Sequence, residues 1–311
     1  APIRYKTFSE YSCVCWGSAL AMLSTDFNKQ LSKIKNFMKN ILLSLLVMTF
    51  WVTTSGQSLK HKDILFYTRN GKGYIHNNIP AAVNCFDSLS KVYGFNLVKS
   101  AESEIFTQSR LQDFDLIIFA STNNDVFDTD AQRLAFRHYI EAGGKFFGIH
   151  SVMGTERNWT WFKQMLGGTF AWHPKFRPFD LVKMDASHPT LSVLPDLWTK
   201  EDECYFAKEL YPGITGLLSV DLESLHPDTT DLKRIILNKG TYDRYYPISW
   251  EQNYDGGAIY ITTLGHAISD YQGGTFVNYL VDCMKYMIGK KQKKDFSKAY
   301  ATNIQDAVKQ Y

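Results

Sequence analysis

Residues Leu116–His150 read LIIFASTNNDVFDTDAQRLAFRHYIEAGGKFFGIH, and this stretch decides the fold. Leu116–Ala120 (LIIFA) is apolar at every position, as a central parallel strand covered on both faces must be. Asp128–Ala142 then carries apolar residues at helical spacing, with acids in the first turn, where a helix N-terminus is positive. Gly143-Gly144 ends that helix, because glycine enters the left-handed conformation without a Cβ penalty. Lys145–Ile149 (KFFGI) follows as a strand and delivers the chain to His150. Strand, helix, strand at this spacing predicts right-handed βαβ crossovers and a doubly wound α/β sheet.

The same alternation extends in both directions. Upstream, Asp63–Thr68 (DILFYT) reads as a buried strand. Ile79–Tyr93 reads as a helix, with Asn77 or Asn78 as N-cap, Pro80 in its first turn and Gly94 closing it, and Phe95–Lys99 as the next strand. Downstream, Trp172–Asp243 carries His-Pro at 173–174, 188–189 and 226–227 and is expected to form long loops and short strands. Pro247–Gln252 and Gly257–Thr263 read as strands joined by a turn at Tyr254-Asp255-Gly256, and Gly274–Ile288 as a closing helix. The loop Arg69–His76 lacks the G-x-G-x-x-G spacing, which argues against a dinucleotide-binding dehydrogenase.

Composition narrows the partners. The 311 residues are 45% hydrophobic, enough for one well-filled core, and the formal net charge is only +3. Lys+Arg 34 against Asp+Glu 31 offers no electrostatic footprint for nucleic acid. Part of the excess sits in Lys290-Lys291-Gln292-Lys293-Lys294, expected to cap the last helix and stay solvated. Five scattered cysteines, with no C-x-x-C beyond residue 56, argue against a disulfide scaffold or a cysteine-rich zinc site.

The N-terminal segment is of another kind. Met38-Lys39-Asn40, the apolar Ile41–Val52 and the small-residue exit Thr53-Thr54-Ser55-Gly56 read as a secretory signal peptide. The apolar centre is shorter than the ~20 residues a spanning helix needs, so no stable membrane anchor is expected. The expected organisation is therefore an upstream extension over 1–37, a signal peptide over 38–56, an α/β domain over 57–290 and a basic C-terminal tail over 291–311. The mature protein would be periplasmic or secreted.

Candidate chemistry gathers at strand ends. His76, His150 and His266 each follow a strand, and His173 lies in the loop after Gly167-Gly168. The carboxyl ends of parallel strands share one rim, where ligands bind, so residues far apart in sequence can converge there. Imidazole is both a common metal ligand and a proton shuttle, although a loop histidine can equally do no more than bond a backbone carbonyl. Asp202-Glu203 could supply a general base or a further ligand, or could be a solvated pair. Trp161 and Trp250 offer indole faces to a sugar, or simply fill the core. Along a strand Trp250 and Glu251 must face opposite sides, so only one can point toward a crevice. His188 and His226 read as turn residues, His61 and His138 as structural.

Several motifs, in order, resemble one family: Gly144–Ser151 (GKFFGIHS), Trp159-x-Trp161-Phe162, Gly167-Gly168-x-Phe170-x-x-His173-Pro174 and Ala186-Ser187-His188-Pro189. Leu194-Pro195-Asp196-x-Trp198, Asp202-Glu203-x-Tyr205, Pro247-Ile248-x-Trp250 and Gly265-His266 continue the series. Together they are similar to the ThuA-like (trehalose-utilisation) family over roughly Lys60–Lys290. The resemblance implies a flavodoxin-like, class I glutamine amidotransferase-like sheet, with Trp250 rather than Glu251 toward the crevice. Amidotransferases carry a nucleophilic cysteine in a G-x-C-x-G elbow. Here the elbow reads Gly148-Ile149-His150-Ser151-Val152, so thioester chemistry is not expected, and Ser151 is one position away. An Arg-His pair commonly precedes the family's first helix, but here Ile75 precedes His76.

The resemblance implies sugar metabolism, with oxidised (keto) sugars as one substrate class, and a metal held through histidines. The expected site is therefore His76, His150, His173 and His266 around a divalent metal such as zinc. Glu203 or Asp202 would move protons, and Trp161, Trp250 and Ser151 would contact a small carbohydrate. Hydrolysis, isomerisation and lyase chemistry all fit. The competing expectation is a non-catalytic carbohydrate-binding or scaffold protein that keeps the fold without the nucleophile.

Overall fold

Five short strands run parallel through the centre of the computed structural model, which describes Lys35 and residues 58–309. The expected signal peptide over 38–56 and upstream extension over 1–37, Lys35 aside, lie outside the described residues. In chain order the elements are β1 (Asp63–Tyr67), α1 (Ile79–Tyr93), β2 (Asn96–Ser100), α2 (Gln108–Leu111), β3 (Leu116–Ala120), α3 (Asp130–Glu141) and β4 (Lys145–Ile149). There follow α4 (Thr160–Leu166), β5 (Gly168–Trp172), β6 (Arg177–Lys183), β7 (Leu197–Asp202), β8 (Phe206–Leu210) and β9 (Thr215–Asp221). The chain closes with α5 (Thr229–Asn238), β10 (Tyr245–Tyr254), β11 (Gly257–Thr262) and α6 (Thr275–Gly289).

The main sheet has the order β2-β1-β3-β4-β11-β10-β9-β6-β7. From β2 to β11 every pairing is parallel, and from β11 to β7 every pairing is antiparallel. β5 and β8 form a separate antiparallel pair. This is the α/β, mostly parallel, flavodoxin-like sheet expected, extended on one side by hairpins.

Local chemistry explains the boundaries. Thr129 and Gln132 form a capping box that starts α3, and left-handed Gly94 closes α1. The β10–β11 hairpin turns through Asp255 and Gly256 at φ 48° and 92°, the two positive values a type I′ turn requires. Asn78 stands at the N-cap of α1 but does not cap it. Its Nδ2 instead donates to Gly265 O at 2.6 Å, tying the start of α1 to the loop after β11.

Alternation along the strands builds two layers. Ile64 and Phe66 pack with Phe86 of α1 and Met284 and Met287 of α6 on one face. Leu65 and Tyr67 pack with Phe136 and Tyr139 of α3 and Phe162 of α4 on the other. Burying each such side chain contributes about 1.5–3 kcal/mol.

Two expectations are corrected here. The stretch Trp172–Asp243 holds the expected short strands, β6, β7, β8 and β9, but also a helix that was not expected, α5. The run at 290–294 is not simply solvated. Lys290 Nζ pairs with Glu251 at 2.7 Å, and Lys294 Nζ donates to the carbonyls of Gln112 and Phe114. The following residues cross the α3–α4 layer, where Trp159 Nε1 donates to Ile304 O and fully buried Arg137 donates to the carbonyls of Ile304 and Asp306. Arg137 is neutralised there by Glu141 at 2.8 Å and Asp255 at 3.7 Å. Among the described residues, no helix is long and apolar enough to cross a membrane.

Candidate functional site

The parallel strands end on one rim, and His150 sits there, one residue past β4. Its φ of 57° places a non-glycine residue in the left-handed region. Such strain costs on the order of 1–3 kcal/mol and marks the sharp elbow that lifts a side chain above the sheet. Gly148 lets neighbouring side chains pack close beneath the elbow: a Cβ there would lie 2.7 Å from Ile261 Cδ1 and 2.8 Å from Val152 Cγ1. The elbow leads into a five-residue 3-10 turn, His150–Gly154.

Three other side chains meet His150. His266 follows β11, and its ring centroid is 5.3 Å from that of His150; the centroid of His76 is 4.6 Å away. Glu203 follows β7, whose C-terminal end reaches the same rim. One ligand atom from each of His76, His150, Glu203 and His266 lies within 4.8 Å of the others. The closest approaches are His266 Nδ1 to Glu203 Oε2 at 3.0 Å, His150 Nε2 to His266 Nδ1 at 3.3 Å and His150 Nε2 to Glu203 Oε2 at 3.7 Å.

Hydrogen bonds fix which nitrogens face inward. His150 Nδ1 lies 3.0 Å from Thr263 O, and a carbonyl can only accept, so Nδ1 carries the proton and Nε2 presents a lone pair. Ser151 Oγ donates to Thr122 O at 3.0 Å and so accepts from His76 Nδ1 at 3.2 Å, which frees His76 Nε2. His173 is built alike, donating Nδ1–H to Pro174 O at 2.8 Å. Its Nε2 lies 3.6 Å from the other Glu203 oxygen, outside the four-residue group.

Electrostatics separate the rings. Burial lowers His76 to about 4 against the pull of Glu203, and drives His150 well below the ordinary imidazole range, so both are neutral at pH 7. The Glu203 hydrogen bond raises His266. Burial pushes Glu203 up, but His266, His173 and His150 outweigh it and hold the carboxyl below its ordinary value. The ring thus presents two neutral imidazoles, a carboxylate, and a third imidazole held to that carboxylate by a hydrogen bond.

Several residues occupy roles other than those expected. Asp202 is fully buried and touches no open space. It accepts backbone N–H groups from Glu203 (2.8 Å), Gly265 (2.8 Å) and His266 (3.2 Å) and pairs with Lys200 Nζ at 2.8 Å, so it positions the Glu203 and His266 loops. Ser151 likewise positions His76. The structure does not bring Trp161 or Trp250 to the ring. Trp161 donates to Asp255 Oδ2 at the far hairpin, and Trp250 donates to Leu166 O inside the core.

Tyr205 was not singled out among the site residues, although the Asp202-Glu203-x-Tyr205 motif contains it. Its hydroxyl lies 3.3 Å from His150 Nε2, and its ring stacks on His173 at 5.4 Å. Burial keeps that hydroxyl protonated far above neutrality. Phe176 and Tyr74 flank the ring, 5.4 Å from His266 and 4.8 Å from His76 respectively. Both are well exposed.

An amidotransferase-like sheet whose strained elbow carries imidazole instead of a thiol defines the class. The chain belongs to the ThuA family, described as trehalose utilisation, whose profile matches residues 63–287. A ThuA-like protein from Bacteroides uniformis is 21% identical, aligned over 78% of this chain and 97% of that one with a TM-score of 0.60. Another from Parabacteroides merdae is 18% identical over 76% and 93%, with a TM-score of 0.58. At these identities the likeness speaks to the fold. No curated protein matches the chain.

Proposed function

We propose that this carbohydrate-related protein is an enzyme whose His76–His150–Glu203–His266 ring holds a divalent metal such as zinc and acts on a sugar or keto-sugar. The observation that carries this reading is the fixed orientation of the imidazoles. Behind His150 and His76, a carbonyl and a hydroxyl hold the protons on the outer nitrogens, as the outer-shell partners of metal-bound histidines do. Bonds of about 2.0–2.1 Å in a tetrahedral set place ligand atoms roughly 3.4 Å apart, which the separations of 3.0, 3.3 and 3.7 Å bracket. When bound, zinc would polarise a carbonyl or lower the pKa of water.

The chain's own groups supply the rest. Tyr205 points a neutral hydroxyl at His150 Nε2 and can donate to a substrate oxygen beside it. Glu203 turns its second oxygen toward His173, and that pair can take and return a proton at the carbon next to a carbonyl. Isomerisation and elimination of a keto-sugar need that transfer, whereas hydrolysis needs the same pair to move a proton between water and the leaving oxygen. We read Ile41–Val52 as an export signal, which N-terminal sequencing of secreted protein beginning at Gln57 would support.

Metal analysis of purified protein tests the proposal. About one metal per chain is expected, lost in His150→Ala together with turnover of a keto-sugar. Sugar binding that survives both chelation and His150→Ala would instead support a non-catalytic carbohydrate-binding protein.

A further inference from the structure

The rim carries a cation that the histidine ring does not use. Arg157 follows the 3-10 turn, and its side chain folds back across it: Nε donates to Gly154 O at 2.9 Å and Nη2 to Asn123 Oδ1 at 3.2 Å. Gly154 leaves room for this, because a Cβ there would lie 2.8 Å from Arg157 Nη2 and closer still to Asn123 Oδ1. The guanidinium rests over Phe170, 5.5 Å from the ring centroid. Arg133, Arg137, Arg177 and Arg244 each pair with a carboxylate, but among the described residues Arg157 has no such partner. Its Nη1 group and one Nη2 hydrogen meet no acceptor there, and the residue is exposed.

Two lines of contact lead from this guanidinium to the histidines. On one side, the Phe170 ring packs 4.5 Å from that of Tyr205, whose hydroxyl meets His150 Nε2 at 3.3 Å. On the other, Asn123 Nδ2 donates to Tyr74 O at 3.2 Å, and the Tyr74 ring flanks His76. The loop that carries Asn123 follows β3 and is tied on both sides: Asn123 O accepts from Gly71 N, and Asn124 N donates to Gly154 O, both at 2.9 Å. Ser121, Asn124 and Glu156 have φ of 51°, 57° and 47°, so with His150 four non-glycine residues of these two rim segments occupy the left-handed region. Strained backbone gathers where fixed groups must meet a ligand. A guanidinium held in place with N–H groups to spare suits a carboxylate or phosphate, whose geometry its fork matches and whose charge it balances.

We propose that Arg157 receives an oxyanion of the substrate, so that the ligand is an acidic sugar bearing a carboxylate or a phosphate. Its anionic end lies on Arg157 and its carbonyl lies over the histidine ring, with Asn123 positioning the guanidinium. The inference rests on the carbohydrate reading above and adds the charge of the ligand and the residue that reads it.

Isothermal titration calorimetry of the metal-loaded protein with glucose, glucuronate and glucose 6-phosphate tests it. At least one of the two anions should bind roughly tenfold or more tightly than glucose, and the tighter of them tells carboxylate from phosphate. Arg157→Gln and Arg157→Ala, both at an exposed position, should each bring the anion-to-glucose ratio close to one with the metal retained. A wild-type ratio near one, or a ratio that survives either variant, would overturn the assignment of Arg157 while leaving the carbohydrate reading intact. Failure of every sugar to bind a metal-loaded protein would overturn both.

Discussion

Replacing Asp202 with Asn should uncouple two of the loops that build the ring. The side chain has no exposure and serves two sets of donors: Glu203 N and His266 N on Oδ1, Gly265 N and Lys200 Nζ on Oδ2. Asparagine keeps one acceptor oxygen and turns an NH2 group toward the other set. Either the Gly265 amide and the Lys200 ammonium or the Glu203 and His266 amides then face a donor. Removing one member of a buried, hydrogen-bonded ion pair costs about 3–5 kcal/mol. In a domain of this size each kcal/mol moves Tm by about 2–4 °C, so calorimetry should show a drop on the order of 10 °C. The variant should also bind zinc more weakly, because the His266 amide is one of the groups released. A Tm within about 2 °C of wild type would refute the assignment of Asp202 as the anchor of these loops. Undiminished stability with altered pH dependence of turnover would instead restore it as a proton carrier.

Three further outcomes are expected. Ser151→Ala removes the acceptor that fixes His76, and should weaken zinc binding by roughly 10–100-fold in a competition titration while leaving the fold intact. Phe136→Ala opens a cavity between α3 and the sheet and should cost about 3–5 kcal/mol in urea unfolding, with no change in bound metal. Glu251 is raised by burial but more strongly lowered by His188, Lys290 and Tyr286, from its ordinary 4.5 to about 2. A depressed carboxyl stabilises the fold above the unfolded value and loses that contribution as pH falls toward the folded one. Wild-type stability should therefore decline between about pH 5 and pH 2, and Glu251→Gln should flatten that limb of a pH-resolved denaturation series.

The histidines were legible because strand ends were. Apolar runs such as LIIFA and KFFGI locate the parallel strands, and parallel strands fix a common rim, so His150 and His266 had to meet. The ring's carboxylate was narrowed only to Asp202 or Glu203, because neighbouring residues at a strand end differ in direction and not in chemistry. The tryptophans misled for a related reason. Trp250 and Glu251 do alternate, but helices and loops cover both faces of the sheet, and the crevice opens at the strand ends; neither face of β10 looks into it. The short strands expected within 172–243 could not be placed one by one because several are partly exposed. LWTKED of β7 alternates irregularly and carries charge, which suits an outer strand and reads as loop. Arg137 and Glu141, four apart on α3, resemble an ordinary surface pair, and only the C-terminal segment folded over them makes them interior.

The unfavourable φ at residue 150 belongs to the main chain, and residues bear it unequally: glycine freely, histidine and asparagine at modest cost, branched side chains at the highest. A replacement there must accept that bend, fill a space closed to solvent and keep a donor for the Thr263 carbonyl. Swapping the group shown at the elbow therefore means recasting the surroundings that hold it, and few occupants suit the position.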